Sequence, residues 1–367
     1  MTYNWQQADW PEFRFELSAV EDALQAIVGH AGKVGGLLAG LPAGLETEAV
    51  LDLMIAEAMQ SSAIEGEILQ RPDVVSSIRN HLGLNRMPEP VRNPMADGAG
   101  ELMAMVRRTF VEPLDAETLF TWHRALMRGA TGIKTGAWRS GNDPMQVVSG
   151  LMHRPRVHFE APPAAALPDE MARFISWFND TSPSGPRPIK HAAIRSAIAH
   201  LYFESIHPFE DGNGRIGRAI AEKTLSQGMG HPVPISLSRS IEARRSAYYD
   251  ALEAAQRSIE ITGWLVHFVE TIRQAFLESE QQITFVVRKA SFLDRHRDSL
   301  NVRQSKVILR MLEAGPAGFM GGMNARKYIA LTRASKATAT RDLQDLVAKG
   351  VLLPSGAGRS AGYGLDL

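Results

Sequence analysis

The sequence predicts a mainly α protein of more than one packed unit, and three observations predict it. Leu, Ala, Ile and Met recur at helical spacing along most of the chain, and sustained period-two alternation is scarce. The third is length: 367 residues exceed what one hydrophobic core usually encloses. Hydrophobic residues at 44% and charged residues at 22% are ordinary for a soluble globular chain, and no apolar run is long enough to span a bilayer. Forty basic residues balance forty acidic ones, so a nucleic-acid role has to come from a local patch and not from overall charge. The absence of cysteine excludes disulfides, thiolate metal sites and cysteine nucleophiles together. The start, MTYNWQQADW, lacks the basic-then-apolar pattern of a signal peptide, so the expected location is the cytoplasm, with no membrane partner.

Helices are expected over residues 17–38 and 46–60, parted by the turn-forming Gly40-Leu41-Pro42-Ala43-Gly44. Asn93 and Pro94 open a helix over 95–109, and Asp115 or Thr118 caps another that runs to residue 128. Residues 132–163 mix Gly, Pro, Val and His and read as a β-hairpin with a loose tip, its strands near Gln146-Val147-Val148 and Arg156-Val157-His158-Phe159. Pro168 starts a helix to about residue 180, and 192–206 is a buried helix by its Ile194, Ile198, Leu201 and Ile206. It stops at Pro208. Another helix begins within Gly212-Asn213-Gly214 and ends where Gly228 and Gly230 permit, and two more follow over 240–256 and 262–287. Past residue 295 the pattern is helix, helix, helix and a Gly-rich hairpin, the layout of a winged helix-turn-helix. The expected domains are 1–100, a helical N-terminal region; 101–285, a core; and 296–367, the winged helix.

The chemistry lies in His207-Pro208-Phe209-Glu210-Asp211-Gly212-Asn213-Gly214-Arg215-Ile216-Gly217-Arg218, between two predicted helices. A loop histidine titrates near neutral pH and can take the proton of a hydroxyl nucleophile. Phe209, beside charged residues, is best explained as a core anchor. Asp211 offers a hard oxygen ligand for Mg²⁺ already held by phosphates. Gly212 and Gly214 let backbone N–H groups turn inward at a helix start, an anion nest that the helix dipole reinforces. Arg215 and Arg218, three apart on the first turn, are expected to reach the same polyphosphate. The stretch also contains G-x-G-x-x-G, but a dinucleotide fold needs a preceding strand and a kinase loop needs a hairpin, and a helix precedes it here.

These residues match H-x-F-x-[D/E]-G-N-G-R-x-x-R at every defined position, and the chain resembles the Fic (filamentation induced by cAMP) family. The resemblance implies an all-α bundle with a β-hairpin flap over residues 101–279 and transfer of AMP from ATP to a Ser, Thr or Tyr hydroxyl of a target protein. It assigns His207 as base, Asp211 as Mg²⁺ ligand, Gly212, Asn213 and Gly214 as the anion hole, and Arg215 and Arg218 as phosphate clamps. Tyr248, Tyr249 and Gln256 fall where such proteins line the adenine pocket, and the hairpin over 145–159 corresponds to the flap that holds a target segment by strand addition. Ser61, Glu65 and Gly66 resemble the family's inhibitory motif, [S/T]-x-x-x-E-[G/N], which implies that Glu65 pairs with Arg218 and restrains the enzyme. Removal of AMP by the same site, with Glu65 positioning water, is an alternative, as is transfer of UMP or phosphocholine. The resemblance also leaves room for a homodimer.

Simpler readings stand beside several of these. Glu65 could be a helix-terminal charge, and Tyr248, Tyr249 and Gln256 could be core and surface packing. His191 and His200 have the wrong spacing to join His207 around a metal and read as structural, and Trp5, Trp10 and Trp138 read as packing. Residues 324–361 carry seven basic residues (Arg326, Lys327, Arg333, Lys336, Arg341, Lys349, Arg359) against Asp342 and Asp345, an excess suited to DNA phosphates. Thr338, Thr340, Arg341 and Gln344 on the presumed recognition helix permit DNA contact, though winged helices also dock proteins. A DNA-binding regulator with the upstream module as a nucleotide sensor is therefore the rival class of function.

Overall fold

The computed structural model describes residues 2–151, 154–355 and 362–367; the expected hairpin tip and Arg359 lie outside the described residues. The elements run α1 (Glu21–Ala39), α2 (Ala43–Ile64), α3 (Arg71–His81), α4 (Pro94–Arg108) and α5 (Ala116–Leu126), then strands β1 (Gln146–Leu151) and β2 (Arg154–Glu160). There follow α6 (Leu167–Asp180), α7 (Ala192–Ile206), α8 (Asn213–Met229), α9 (Leu237–Glu242), α10 (Arg245–Ala255) and α11 (Thr262–His296). The chain closes with α12 (Val302–Leu312), α13 (Ala325–Thr332), α14 (Lys336–Ala348), β3 (Leu352–Ser355) and β4 (Gly362–Leu365). By packing it divides into two units, Met1–Val34 with Val50–Ser279, and Gly35–Ala49 with Glu280–Leu367. Among the described residues no helix is long and apolar enough to cross a membrane.

In the larger unit α7 is the central helix, and nearly every side chain from Ala193 to Ile206 is buried. Its apolar residues face all directions, the pattern of a helix enclosed by others. Its own Tyr202 and Phe203 form the core together with Trp122, Phe174, Phe178, Phe209, Ile216 and Ile220 around it. The three tryptophans singled out from the sequence pack as expected, and two of them, Trp5 and Trp10, also place their indole N–H groups. Trp5 Nε1 donates to the Glu160 carbonyl at 2.7 Å, Trp10 Nε1 donates to Glu170 at 3.0 Å, and Trp138 lies 5.1 Å from the Phe209 ring. β1 and β2 pair antiparallel from Gln146↔Glu160, with an irregularity between Val147 and Val148.

Two helical expectations needed correction. α3 was not anticipated: it buries only Val74, Ser77 and Ile78 on one side, too little for a clear periodic signal. It can lie close to α4 because Gly100 has no side chain, a Cβ there falling 2.4 Å from Ser77 Oγ. The helix expected over 240–256 is two, with Ser236 capping α9 by accepting from Arg239 N–H and the chain turning at Arg244 before α10.

In the smaller unit α12 starts with a capping box between Asn301 and Gln304, and Ser335 caps α14. The core joins Phe292, Val307, Ile308, Met311, Tyr328, Leu343, Leu346 and Leu352, and β3 pairs antiparallel with β4.

Candidate active site

α7 ends at His207, which adopts a left-handed conformation (φ 50°, ψ 60°) and turns the chain into the loop. Such a conformation is uncommon without glycine, so the surroundings must hold it. They do so through the backbone: His207 N–H donates to the Phe203 carbonyl at 2.9 Å, while its own carbonyl accepts from Arg139 Nε at 2.8 Å. The buried Arg139 also donates to the Pro162 carbonyl at 2.5 Å and, through its backbone N–H, to Pro208 at 2.9 Å. Nothing in its Gly-rich neighbourhood marks Arg139 in the sequence, because its partners are all distant backbone atoms.

Phe209 is fully buried and Asn213 pins its backbone, accepting from Phe209 N–H at 2.9 Å and donating to the Phe209 carbonyl at 2.8 Å. The ring stacks on His123 at 4.0 Å with an interplanar angle of 5°. His123 Nδ1 accepts from Gly136 N–H at 2.8 Å, which leaves the proton on Nε2, 3.1 Å from the Asp211 carbonyl. Burial holds the His123 pKa below its usual value, consistent with this neutral tautomer. Gly212 has φ 82° and begins α8, so the N–H groups of the Gly212–Gly214 turn precede a helix N-terminus.

Arg218 is buried, and the end of α2 takes its Nε and Nη2 donors. Its Nε donates to Ser61 Oγ at 2.9 Å, and its Nη2 donates to the Ser61 carbonyl and to Glu65 Oε1, both at 2.8 Å. Gly66 explains how the segment gets there. With φ 86° it ends α2 while Glu67 N–H returns to the Ser62 carbonyl at 2.9 Å and Gly66 N–H to Ala63 at 2.9 Å, a closing turn that a left-handed glycine permits. The fit at Gly214 is just as close: a Cβ there would fall 2.3 Å from Glu65 Oε1. Arg215 goes elsewhere. It pairs with Glu67, lies 3.6 Å from Asp211 Oδ1 and 3.7 Å from Met127 Sδ, and is absent from the cavity that Arg218 lines. The side chains of these two arginines therefore diverge in this structure.

That cavity, about 500 Å³, is lined by Glu65, Glu204, His207, Gly214 and Arg218 on one side and by Tyr248, Tyr249 and Gln256 on another, with β1–β2 residues between. Tyr248 hydrogen-bonds His200 Nε2 at 2.8 Å and Gln256 donates to the Glu204 carbonyl at 3.1 Å, so part of their polar capacity is already used. His200 is structural, packed against Trp264 and Phe268, and burial pushes its pKa down to about 3. Glu204, missed in the sequence, is buried in the cavity wall, and burial followed by the Glu65 charge pushes its pKa up to about 8. Asp211 accepts from Gly212 N–H on Oδ1 at 2.5 Å, and its side chain is 56% exposed to solvent. Among the described residues there is no group of three or more His, Cys, Asp or Glu that could hold a metal ion.

Burial, then the Arg139 charge, lowers the His207 pKa to about 4. A base acts in its neutral form, so its activity is retained above that pH and lost as pH falls through it. The acid limb of group transfer that belongs to His207 should thus lie below about pH 5, while any change near pH 8 belongs to Glu204, 3.7 Å away. A pH–rate profile with its acid limb near the ordinary histidine value of about 6.5 would contradict this.

Comparison with known proteins agrees with the geometry. Residues 113–225 match the Fic/DOC family, and residues 3–84 match a domain of unknown function, DUF4172. A protein adenylyltransferase Fic from Culex quinquefasciatus is 28% identical over 246 residues, covering 66% of this chain and 43% of that protein. The Drosophila melanogaster protein of the same name is 31% identical over 156 residues, 40% of this chain and 30% of its own. This chain thus spans less than half the length of these curated relatives. Among solved structures, a Fic family protein from Desulfovibrio desulfuricans aligns over 93% of this chain and 95% of its own at 22% identity and a TM-score of 0.51. A Fic domain containing signaling protein from Bacteroides thetaiotaomicron aligns over 72% of this chain and 97% of its own at 17% identity and a TM-score of 0.54. The helical bundle with its hairpin is a Fic-type fold. Residues 113–225 carry a Fic/DOC family domain.

Proposed function

We propose that this chain transfers AMP from ATP to a Ser, Thr or Tyr hydroxyl of a target protein and that Glu65 restrains the reaction by occupying Arg218. The supporting observation is one cavity that combines His207, the Gly214 turn and Arg218 with Tyr248, Tyr249 and Gln256. In this reading His207 takes the proton of the target hydroxyl as its oxygen bonds to the α-phosphorus. The bond from that phosphorus to the bridging oxygen breaks, and pyrophosphate leaves. The Asn213 and Gly214 N–H groups and Arg218 meet the charge that builds on the phosphates, the Gly212 N–H being taken by Asp211 Oδ1. Mg²⁺, with Asp211 as its protein ligand, supplies further charge neutralisation when bound. The tyrosine rings and the Gln256 amide suit a purine, and the exposed flap strand suits a target segment in extended conformation.

The test is incorporation of label from α-³²P-ATP with Mg²⁺ in a cell lysate, in a Glu65→Gly background. Adding His207→Ala is expected to lower incorporation on the order of a hundredfold or more, the usual scale of a lost general base, while ATP binding persists. Equal labelling with and without His207 would sink the assignment. Release of AMP from a pre-labelled target by the wild type, lost in Glu65→Gly, would instead identify removal as the main activity.

A second reading concerns the smaller unit, taken as a winged helix that contacts DNA. Its α14 exposes Lys336, Thr340, Arg341 and Gln344, while Asp342 is buried against Arg303 at 2.9 Å and Tyr328 at 2.8 Å. Asp345 pairs with Gln304 and Lys349, so the acids of this helix are spent on intramolecular partners. Binding of a duplex probe should weaken steeply between 50 and 200 mM salt, by roughly tenfold or more if only a few phosphates are met. Arg341→Ala should weaken it further, and no binding at the lower salt would exclude this role.

A further inference from the structure

The end of α2 presents two carboxylates to α8, not one. Glu65 takes Arg218, and Glu67, two residues on, takes Arg215. Both arginines are buried, at 3% and 1% exposure for Arg215 and Arg218. The two acids are brought to one side by the Gly66 turn, and the two bases stand one helical turn apart on the first turns of α8. Arg215 Nε is buried without a hydrogen-bond partner in the structure, so this guanidinium retains unused donor capacity. An arginine with one terminal nitrogen on a carboxylate outside the cavity, the other on a weak thioether acceptor, and a donor left over, is set to exchange that carboxylate for a phosphate.

We propose that Glu67 is a second latch, which holds Arg215 out of the nucleotide cavity independently of Glu65, so that the two acids together stand in for two phosphate groups. This rests on the reading of the cavity as an ATP site. Its consequence is ligand selection: a nucleotide that carries phosphates beyond the first has to displace both acids, whereas AMP displaces neither. Asp211, 3.6 Å from Arg215, stays beside the guanidinium when Glu67 leaves, so the released arginine retains a neighbouring countercharge.

The experiment measures affinity for ATP, ADP and AMP with Mg²⁺ by calorimetry on the full chain, for wild type, Glu65→Gly, Glu67→Gln and the double variant. Glu67→Gln keeps the shape of the side chain and removes its charge, and Glu67→Asp serves as the variant that keeps the charge. The expected result is that Glu67→Gln tightens ATP and ADP by roughly five- to tenfold in both backgrounds, the scale of one charge-assisted pair, and leaves AMP unchanged. Glu67→Asp should gain less than Glu67→Gln. A gain in ATP affinity from Glu65→Gly but none from Glu67→Gln in either background overturns the latch and leaves the ATP reading standing. A gain from Glu67→Gln only while Glu65 is present also overturns it, since Glu67 would then merely anchor Glu65. If no variant binds any nucleotide, the ATP reading falls and the latch falls with it.

Discussion

Glu65→Gly is expected to raise label transfer from ATP on the order of ten- to a hundredfold over the wild type. The estimate comes from the contact itself. Glu65 Oε1 accepts from a guanidinium that is 1% exposed, at 2.8 Å, and a hydrogen bond between two charged groups in such a place contributes about 1.5–3 kcal/mol. About 1.4 kcal/mol is a tenfold change in the population able to bind ATP productively. The release also opens space, because Glu65 Oε1 reaches within van der Waals contact of the Gly214 backbone, where phosphate N–H donors are expected. Arg218 does not collapse when Glu65 goes, since Ser61 still accepts from its Nε and Nη2 at 2.9 and 2.8 Å and holds the fork in place. Glu65→Gln is expected to fall between the two, because it retains a hydrogen bond and loses the charge. Steady-state labelling by the three chains at matched concentration is the measurement. If Glu65→Gly labels no faster than wild type while binding ATP equally well, Glu65 is a helix-terminal charge and not an inhibitor.

How much of this could be read in the sequence depends on how far apart the interacting residues lie. The loop from His207 to Arg218 was legible because its parts are contiguous: a buried helix, a proline stop, a glycine turn and a new helix follow one another, whereas the left-handed His207 was visible only in the structure. α7 was delimited correctly because its apolar residues point in every direction and Pro208 follows its end. The pairing of Glu65 with Arg218 came through the resemblance alone, since 153 residues separate them and no local pattern links them. Glu67 escaped notice for the same reason. Arg215 was expected to reach the same ligand as Arg218, yet a three-residue step on a helix leaves about 60° between two side chains, enough to send one toward Met127 and Glu67. Arg139 and His123 were missed because their function is to satisfy backbone groups of a distant loop, which leaves no mark in their own neighbourhoods. The break between α9 and α10 falls at Arg244, which makes no side-chain cap hydrogen bond, so no capping residue announces it. It matters for the site because α10 carries Tyr248, which closes onto His200.

Phe209→Ala is expected to be the most destabilising single change in the site, by about 3–5 kcal/mol, the usual cost of removing a buried phenyl ring from a well-packed core. Phe209 is completely buried, and its ring is held by His123 at 4.0 Å, Trp138 at 5.1 Å and Phe203 at 6.4 Å. In a unit of this size each kcal/mol lowers the melting temperature by roughly 2–4 °C, so a fall of about 6–20 °C is expected. The effect extends past stability because the same ring fixes His123. Without the stack, His123 loses the face that aligns its Nε2 with the Asp211 carbonyl, and the Asp211–Gly212 peptide loses its registration with the α8 N-terminus. Transfer should therefore drop more than the folded fraction does. Phe209→Leu separates the two: it fills most of the volume at a cost of about 1–1.5 kcal/mol and cannot stack. A near-normal melt with depressed transfer in Phe209→Leu supports a positioning role for the ring, whereas full activity in that variant would reduce Phe209 to a filler of space. Asn213→Ala offers an independent check from the other side of the loop. It deletes the two hydrogen bonds that pin the Phe209 backbone and leaves the ring in place, so its loss of transfer should follow the loop's freedom and not the core's packing.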